Sequence, residues 1–322
     1  MLEQPATQRL LVIGSANVDV FARVVRHPLP GETVVGDGGD RLPGGKGANQ
    51  ALAAALQGAR VAFVAAVGPD PDAEVAVAAL REVGVDLSGI TTADHHRTGL
   101  AIITVADDGE NTIVVLPGAN STVTPHDAVA AVDAMADGDI LLMQGELPRA
   151  TTEAAVRAAR AAGRRVVLNV APGGALDRDV LTAADPLVLN EHEAVQASEK
   201  LGSADEGDFV LRAEAMLAAG VPSIVITLGA MGAIAGQGDQ VGTVSAPRAL
   251  AVDTTGAGDA FTGALAARLL AGDPLLDAAR HATRVAAFSV VRRGAQPSYP
   301  AAGDLLPRIP PAPPPGRGRL RG

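Results

Sequence analysis

Short apolar runs alternate with Ala-rich segments along most of the chain, and the two patterns predict different elements. The apolar runs are rich in Val, Ile and Leu and have the length of buried strands, at residues 10–13, 61–67, 140–143, 166–170, 186–189 and 223–228. The segments between them have helical spacing, at residues 48–56, 73–83, 151–161, 191–200, 208–219, 259–270 and 274–291. This alternation predicts an α/β fold with a central, mostly parallel sheet flanked by helices.

Two extended segments, residues 19–42 and 98–116, interrupt this rhythm. The second has the pattern of a hairpin with Gly109 at its tip, and neither contains a crossover helix. They predict a small antiparallel sheet that forms a lid over the site, although an edge extension of the main sheet fits the same pattern. Residues 1–306 are therefore expected to form one α/β domain with this lid. Residues 307–322, rich in Pro, Gly and Arg, are expected to be a disordered tail.

Composition excludes several classes of function. The formal net charge of -10 and an aromatic content of 2% argue against nucleic-acid binding, which needs cations and stacking platforms. No apolar run reaches the length of a membrane span and the N-terminus lacks a signal-peptide pattern, so a cytoplasmic protein without membrane partners is expected. The chain has no Cys, which excludes thiol catalysis and thiolate metal sites.

The segment VDTTGAGDAF, residues 252–261, carries the strongest chemical signal. Its glycines form a turn immediately before a predicted helix, where the backbone N–H groups of Gly256, Ala257 and Gly258 can converge on an anion. A carboxylate at the mouth of that site, Asp259, can take a proton from a substrate hydroxyl while the N–H groups hold a phosphoryl group. The alternative is an ordinary turn followed by an acid in the first helical turn. The chain contains neither GxGxxG here nor a Walker loop.

Two motifs, GGKGANQ at residues 44–50 and DTTGAGDAF at residues 253–261, resemble the signatures of the ribokinase, or phosphofructokinase-B-type, family of carbohydrate kinases. The resemblance extends from GSANVD at residues 14–19 to RRGAQPS at residues 292–298, and it is closer to ribokinases than to fructokinases or adenosine kinases. It implies a ribokinase-like fold and transfer of the γ-phosphoryl group of ATP to the 5-hydroxyl of D-ribose. It also implies Mg²⁺ with ATP, a monovalent cation (K⁺), and a homodimer formed through the lid.

The resemblance implies roles for individual residues. Asp259 would be the catalytic base, with an anion hole at Gly256, Ala257 and Gly258. The sugar would contact Asp259 and six further residues, Asn17, Asp19, Gly45, Lys46, Asn49 and Glu146. ATP would contact Asn190, Thr227, Gly229, Ala230, Gly232, Gly258 and Thr283. Glu193 would hold Mg²⁺ through water. The K⁺ site would be built from Asp253, Thr255, Ser289, Arg292, Gly294 and Ser298, with Arg292 contributing its carbonyl.

Structural roles remain open for many of these positions. Asn17 and Asp19 fit a turn, Asn49 a solvent-facing helix position, and Glu146 a solvated loop. The Asn190–Glu193 spacing is also a helix-capping pattern. Two other functions stay open as well: a kinase of the same family acting on a nucleoside, deoxyribose or hexose, and a sugar-binding regulator without catalytic activity.

Overall fold

The computed structural model describes residues 8–174, 176–203 and 207–309. Its strands, in chain order, are β1 (Leu10–Ile13), β2 (Asn17–Val24), β3 (Asp37–Gly44), β4 (Val61–Val67), β5 (Asp86–Thr92), β6 (Gly99–Ala106), β7 (Asn111–Leu116), β8 (Ile140–Met143), β9 (Arg165–Asn169), β10 (Leu187–Asn190), β11 (Ser223–Thr227), β12 (Gly232–Gln237) and β13 (Gln240–Ser245). Its α-helices are α1 (Lys46–Leu56), α2 (Pro71–Glu82), α3 (Pro125–Asp133), α4 (Arg149–Ala161), α5 (Arg178–Leu181), α6 (Glu191–Leu201), α7 (Phe209–Ala218), α8 (Ala257–Leu270) and α9 (Leu275–Ser289).

The main sheet has nine strands in the order β13-β12-β11-β10-β9-β8-β1-β4-β5. All neighbouring pairs from β11 to β5 are parallel, whereas β12 and β13 add an antiparallel hairpin at one edge. The predicted α/β class and mostly parallel sheet are confirmed. The pattern missed β5, α3, α5 and the β12–β13 hairpin. The missed strands are partly polar or glycine-containing and lack a continuous apolar run.

Helices cover both faces of the main sheet. Apolar residues of α1, α2, α8 and α9 form one buried cluster, and those of α3 to α7 form the other. Strand β1 shows how the sheet separates the two, because Leu10 and Val12 belong to the first cluster while Leu11 and Ile13 belong to the second. Since both faces are covered, the parallel strands are apolar on both sides, which is why they read as continuous apolar runs.

A second sheet of four strands has the order β3-β2-β6-β7. It is separate from the main sheet, as expected for a lid. The prediction that its strands are all antiparallel is wrong, because the central pair β2 and β6 is parallel. The β6–β7 hairpin turns at Gly109, which has a positive φ of 88°. The sheet begins three residues after β1, so it stands directly at the end of the main sheet.

No helix in the described ranges is long and apolar enough to cross a membrane. The predicted C-terminal tail lies outside the described residues from residue 310 onward.

Candidate active site

The predicted site residues follow neighbouring parallel strands. Asn17 follows β1, Glu146 follows β8, and β10 and β11 end at Asn190 and Thr227. The pair β1 and β8 is also where the strand order reverses, with β4 and β5 on one side and β9, β10 and β11 on the other. Open α/β sheets bind ligands outside the carboxyl ends of their strands at such a switch point. The topology therefore brings the predicted residues to one edge of the sheet.

A glycine allows α1 and α8 to pack closely. A Cβ at Gly263 would lie 2.4 Å from the main-chain oxygen of Gln50 and 2.7 Å from the Cβ of Ala53, so a larger residue does not fit. Because of this close approach, the first turn of α8 lies next to the first turns of α1. The former carries Asp259 and the latter carry Asn49.

Asp259 is buried and both of its carboxylate oxygens accept hydrogen bonds from amides. Asn49 Nδ2 donates to Oδ2 at 3.0 Å, and Gln50 Nε2 donates to Oδ1 at 2.9 Å. Asn49 is itself 5% exposed, which rules out the solvent-facing alternative. Each carboxylate oxygen has a second acceptor position. The carboxylate is therefore held in place and can still accept a proton.

Gly256 begins the turn before α8 with a positive φ of 73°. Its carbonyl accepts hydrogen bonds from Ala260 N at 2.8 Å and from the Tyr299 hydroxyl at 3.0 Å. Burial is the largest cause that raises the pKa of Tyr299, with Asp259 adding to it, so this phenol remains a donor. The Gly256 carbonyl is thus held toward the protein side of the turn.

The backbone donors at the start of α8 differ from the predicted set in one respect. The N–H of Ala257 donates to the Thr254 carbonyl at 3.2 Å, so it closes a turn. The N–H groups of Gly256 and Gly258 have no acceptor among the described residues. The space in front of Gly258 is open, since a Cβ there would meet no atom within 4 Å. These are the free donors that a helix N-terminus offers to an anion.

Two donors fix Glu146. Ser15 Oγ and the backbone N–H of Lys46, the latter at 2.9 Å, both donate to Oε2. Glu146 is therefore a positioned group and the solvated-loop alternative does not apply. Lys46 starts α1 directly after Gly45, whose positive φ of 85° allows the sharp entry into the helix.

Asn17 and Asp19 lie on β2 and are 2% and 8% exposed. Asn120 Nδ2 donates to Asn17 Oδ1 at 2.7 Å, so this bond does not use the amide hydrogens of Asn17. The Asp19 carboxylate lies over Gly44, where a Cβ would come within 2.2 Å of Oδ1. Both side chains are thus oriented by neighbours that were not among the predicted site residues.

Lys46 is the cation shared by the acids of the site. Asp259 is the largest cause that raises the pKa of Lys46, and Glu146, Glu193 and Asp19 add to it against the effect of burial. The pKa of Asp19 is raised to about 7, first by burial and then by Glu146 and Asp259, while Lys46 opposes the shift. The site therefore holds more negative charge than its one lysine balances.

Two cavities open on this edge of the sheet. One of about 440 Å³ is lined largely by small apolar residues and includes the predicted nucleotide residues Thr227, Gly229, Ala230, Gly232 and Thr283. The other, of about 240 Å³, is polar and is lined by Lys46, Asn190, Glu193, Gly256 and Asp259, among others. Gly258, Thr227 and Thr254 line both cavities. An elongated ligand with an apolar head and an anionic tail fits this arrangement, with the tail leading to Asp259.

Asn190 and Glu193 form a capping box at the start of α6. Asn190 Oδ1 accepts from Glu193 N at 2.8 Å, and Glu193 Oε2 accepts from Asn190 N at 2.9 Å. Burial is the largest cause that raises the pKa of Glu193. The other carboxylate oxygen, Oε1, has no hydrogen bond to any described residue, so capping leaves it available to a hydrated cation. The capping role and a cation-organising role are therefore compatible.

Asp253 joins the two loops of the predicted monovalent-cation site. Its Oδ1 accepts from Thr255 N at 2.9 Å and its Oδ2 accepts from Gly294 N at 2.8 Å. Burial opposes ionisation, but these hydrogen bonds lower the pKa of Asp253. The main-chain oxygens of Asp253, Thr255 and Gly294 accept no hydrogen bond from another described residue. Main-chain oxygens that accept no hydrogen bond, on two loops held together by Asp253, suit a weakly hydrated cation.

The side chains of the other three predicted cation residues point into their own elements. Ser289 Oγ donates to Ala286 O and Ser298 Oγ donates to Ala295 O. The Arg292 guanidinium lies 3.8 Å from the centre of the Phe288 ring. Any contribution of Arg292 to a cation site is thus left to its main chain.

Sequence reasoning missed Ser15, Gln50, Asn120 and Tyr299, which orient Glu146, Asp259, Asn17 and Gly256 respectively. Gln50 was visible as the last residue of the motif GGKGANQ, and Tyr299 as the only tyrosine. Ser15 was visible in the motif GSANVD, whereas Asn120 gave no comparable signal.

Residues 7–302 match the family model described as pfkB family carbohydrate kinase. A ribokinase of Staphylococcus aureus is 37% identical over 296 residues, which cover 91% of this chain and 97% of the relative. A deoxyribokinase of Salmonella typhi is 32% identical over 294 residues, which cover 91% of this chain and 95% of the relative.

Solved structures give the same family. The structure of an Arabidopsis thaliana ribokinase complexed with ribose and ATP matches with a TM-score of 0.81 and 32% identity, over 92% of this chain and 97% of that chain.

Proposed function

This chain belongs to the pfkB family of carbohydrate kinases, and on that basis we propose that it transfers the γ-phosphoryl group of ATP to the 5-hydroxyl of D-ribose. The observation that carries the proposal is the position of Asp259. Its buried carboxylate lies in the polar cavity, next to the free N–H groups of the α8 turn and adjoining the larger apolar cavity. Similarity to ribokinases over almost the whole chain supports ribose as the acceptor.

The reaction needs positioning and electrostatic stabilisation more than covalent chemistry. Asp259 accepts the proton of the attacking hydroxyl, and the free N–H groups of Gly256 and Gly258 face the charge of the transferring group. Neighbouring groups hold the side chains of Glu146, Asn17 and Asn49 in place. In this proposal, polar atoms of these three side chains contact the sugar. Hydrogen-bond donors that are already oriented in this way stabilise developing charge most strongly in a site closed off from water.

ATP occupies the larger cavity in this proposal. Its lining of Ala and Val side chains accepts the adenine, and Thr227 and Thr254 lie where the two cavities meet and the phosphates pass. Mg²⁺ would accompany the phosphates and neutralise part of their charge, with its water shell held by the free oxygen of Glu193. K⁺ would be held by the loops that Asp253 ties together, and it would there support the α8 turn. A reaction that consumes ATP and a free sugar is expected to take place in the cytoplasm. This localisation stays a prediction.

The lid is proposed to form a homodimer. Every residue of β7 is exposed, and Ile113, Val114, Val115 and Leu116 are 46 to 57% exposed. The strand is at the edge of its sheet, so it also offers unpaired backbone groups. Contiguous exposed apolar surface of this kind marks an interaction site in soluble proteins.

Deoxyribose is the second candidate acceptor, because a deoxyribokinase is almost as similar to the chain as the ribokinases are. A coupled assay of ADP release separates the candidates when kcat/KM is compared for ribose, 2-deoxyribose, fructose and adenosine. We expect ribose to give the highest value, by about tenfold or more over 2-deoxyribose, since a site built for a hydroxyl leaves polar groups unpaired without it. A higher value for any other acceptor would contradict the assignment. Sugar binding without ADP formation would indicate a regulator.

A further inference from the structure

A buried chain of three side-chain amides ends at Asp259. Gln144 Nε2 donates to Gln50 Oε1 at 3.0 Å. Gln50 Nε2 donates to both Asp259 Oδ1 and Asn169 Oδ1, each at 2.9 Å. Asn169 Nδ2 in turn donates to the Val188 carbonyl at 3.2 Å. Gln50 is 0% exposed, so its amide makes all of these bonds inside the protein.

The direction of this chain is fixed at both ends. The Val188 carbonyl can only accept, so Asn169 must turn its amide nitrogen to it and its oxygen to Gln50. An ionised Asp259 carboxylate can also only accept. Gln50 must therefore present its nitrogen to Asn169 and to Asp259 together, and a flipped amide would lose both bonds.

The orientation of Gln50 also determines that of Gln144. Because Gln50 Oε1 needs a donor, Gln144 turns its nitrogen inward, and its own Oε1 is left without a hydrogen bond among the described residues. That oxygen lies over Gly14, where a Cβ would come within 2.2 Å. A buried polar atom without a partner is uncommon in native proteins and calls for an explanation. Here the Gln144 oxygen lacks a partner because the direction of these hydrogen bonds is set at their other end, by Asp259.

Resting on the proposed function, we propose that Gln50 is a positioning residue that holds the Asp259 carboxylate in the orientation of the base, with Asn169 fixing the direction of the Gln50 amide. Asn49 and Gln50 present only N–H donors to the carboxylate, so neither offers an acceptor to a proton on Asp259. A hydrogen bond to a charged group is stronger than one between neutral groups. Gln50 touches neither substrate nor nucleotide in this account, so its effect reaches turnover only through Asp259.

Gln50→Met tests the proposal because it keeps the length of the side chain and removes the donor. We expect kcat to fall about ten- to a hundredfold, with KM for ribose and for ATP within about threefold of wild type.

Gln57→Met is the matched control, at the C-cap of the helix that carries Gln50. Gln57 Nε2 donates to the Pro300 carbonyl and Gln57 Oε1 contacts His281, so this amide is also bonded on both sides but lies away from the site. Its replacement should lower the melting temperature and leave kcat and both KM values unchanged. If Gln50→Met does not fold, Gln50→Glu at pH 8 serves instead, since it keeps the shape and places an acceptor beside Asp259; its kcat should fall at least as far.

The outcomes separate the two claims. A folded Gln50→Met enzyme with wild-type kcat, or with only the loss of stability seen for Gln57→Met, would overturn the role of Gln50. Asp259→Asn, measured alongside, addresses the proposed function itself. If Asp259→Asn is inactive while Gln50→Met is unaffected, the base stands and the positioning claim fails; if Asp259→Asn keeps its activity, the proposed function fails first.

Discussion

Asn49 Nδ2 lies 3.0 Å from Asp259 Oδ2, and Asn49 Oδ1 accepts a hydrogen bond from Gln296 Nε2, also at 3.0 Å. A residue predicted to contact the sugar thus also holds the predicted base, while Gln296 fixes the direction of its amide. The predicted sugar pocket and the predicted proton acceptor are therefore parts of one hydrogen-bonded unit. A change on either side is expected to be felt on the other.

The raised pKa of Asp19 makes the stability of the free protein depend on pH. Because its pKa is raised from 3.8 to about 7, the folded state binds this proton more tightly than the unfolded state does. The folded protein therefore loses stability as pH rises from about 4 to about 7. Asp19→Asn removes the charge, so relative to wild type it should gain on the order of 2 to 4 kcal/mol in free energy of unfolding between pH 4 and pH 8. Urea unfolding across this range measures the gain, and an equal difference at every pH would contradict the assignment.

Replacing K⁺ by Na⁺ should lower kcat without removing the dependence on Mg²⁺, because the proposed cation supports the α8 turn and does not touch ATP. Asp253→Ala should abolish the difference between the two salts, since the carboxylate ties residues 255 and 294 together. Steady-state kinetics in matched chloride salts give both results. Equal rates in K⁺ and Na⁺ for the wild-type enzyme would count against the site.

The Tyr299 hydroxyl is expected to matter for turnover as well as for stability. Tyr299→Phe removes one donor to the Gly256 carbonyl but leaves the bond from Ala260 N, so no buried group is stranded. We expect a loss of about 1 kcal/mol in stability and a several-fold lower kcat, with KM little changed. Thermal unfolding and initial rates measure the two effects. A stability loss with wild-type kcat would show that Tyr299 only packs against the turn.

Val114→Glu should dissociate the proposed dimer, because it places a charge in the centre of the exposed face of β7. Val83→Glu is the matched control, since Val83 is also surface-exposed but lies after α2. Sedimentation velocity should show a dimer for wild type and the control, and a monomer for Val114→Glu. A monomeric wild-type protein at micromolar concentration would contradict the dimer.

The sequence predicted the parts of the fold that depend on continuous patterns. The runs that became β1, β4 and β8 were placed to the residue, because strands buried on both faces are apolar throughout. The lid strands were placed, but the parallel pairing of β2 and β6 was not, since pairing depends on partners that are about 80 residues apart in the chain.

The position of the candidate site was predictable where a motif carries particular residue types, as at Asp259, which lines the polar cavity. It was not predictable where a residue acts through a neighbour. Asn120 orients Asn17 from 103 positions away, and Tyr299 reaches Gly256 across 43 positions. These contacts exist only once the chain is folded. A single sequence gives no sign of them beyond an unusual residue, such as the one tyrosine.

The most direct test is ribose-dependent ADP release by wild type and by Asp259→Asn, with binding of ribose and of ATP measured separately by calorimetry. The substitution keeps the shape of the side chain and removes the base, so we expect turnover to fall by about 10² to 10⁴ while both affinities stay within a few-fold of wild type. If the Asn variant keeps more than half of the wild-type turnover, Asp259 is not the base.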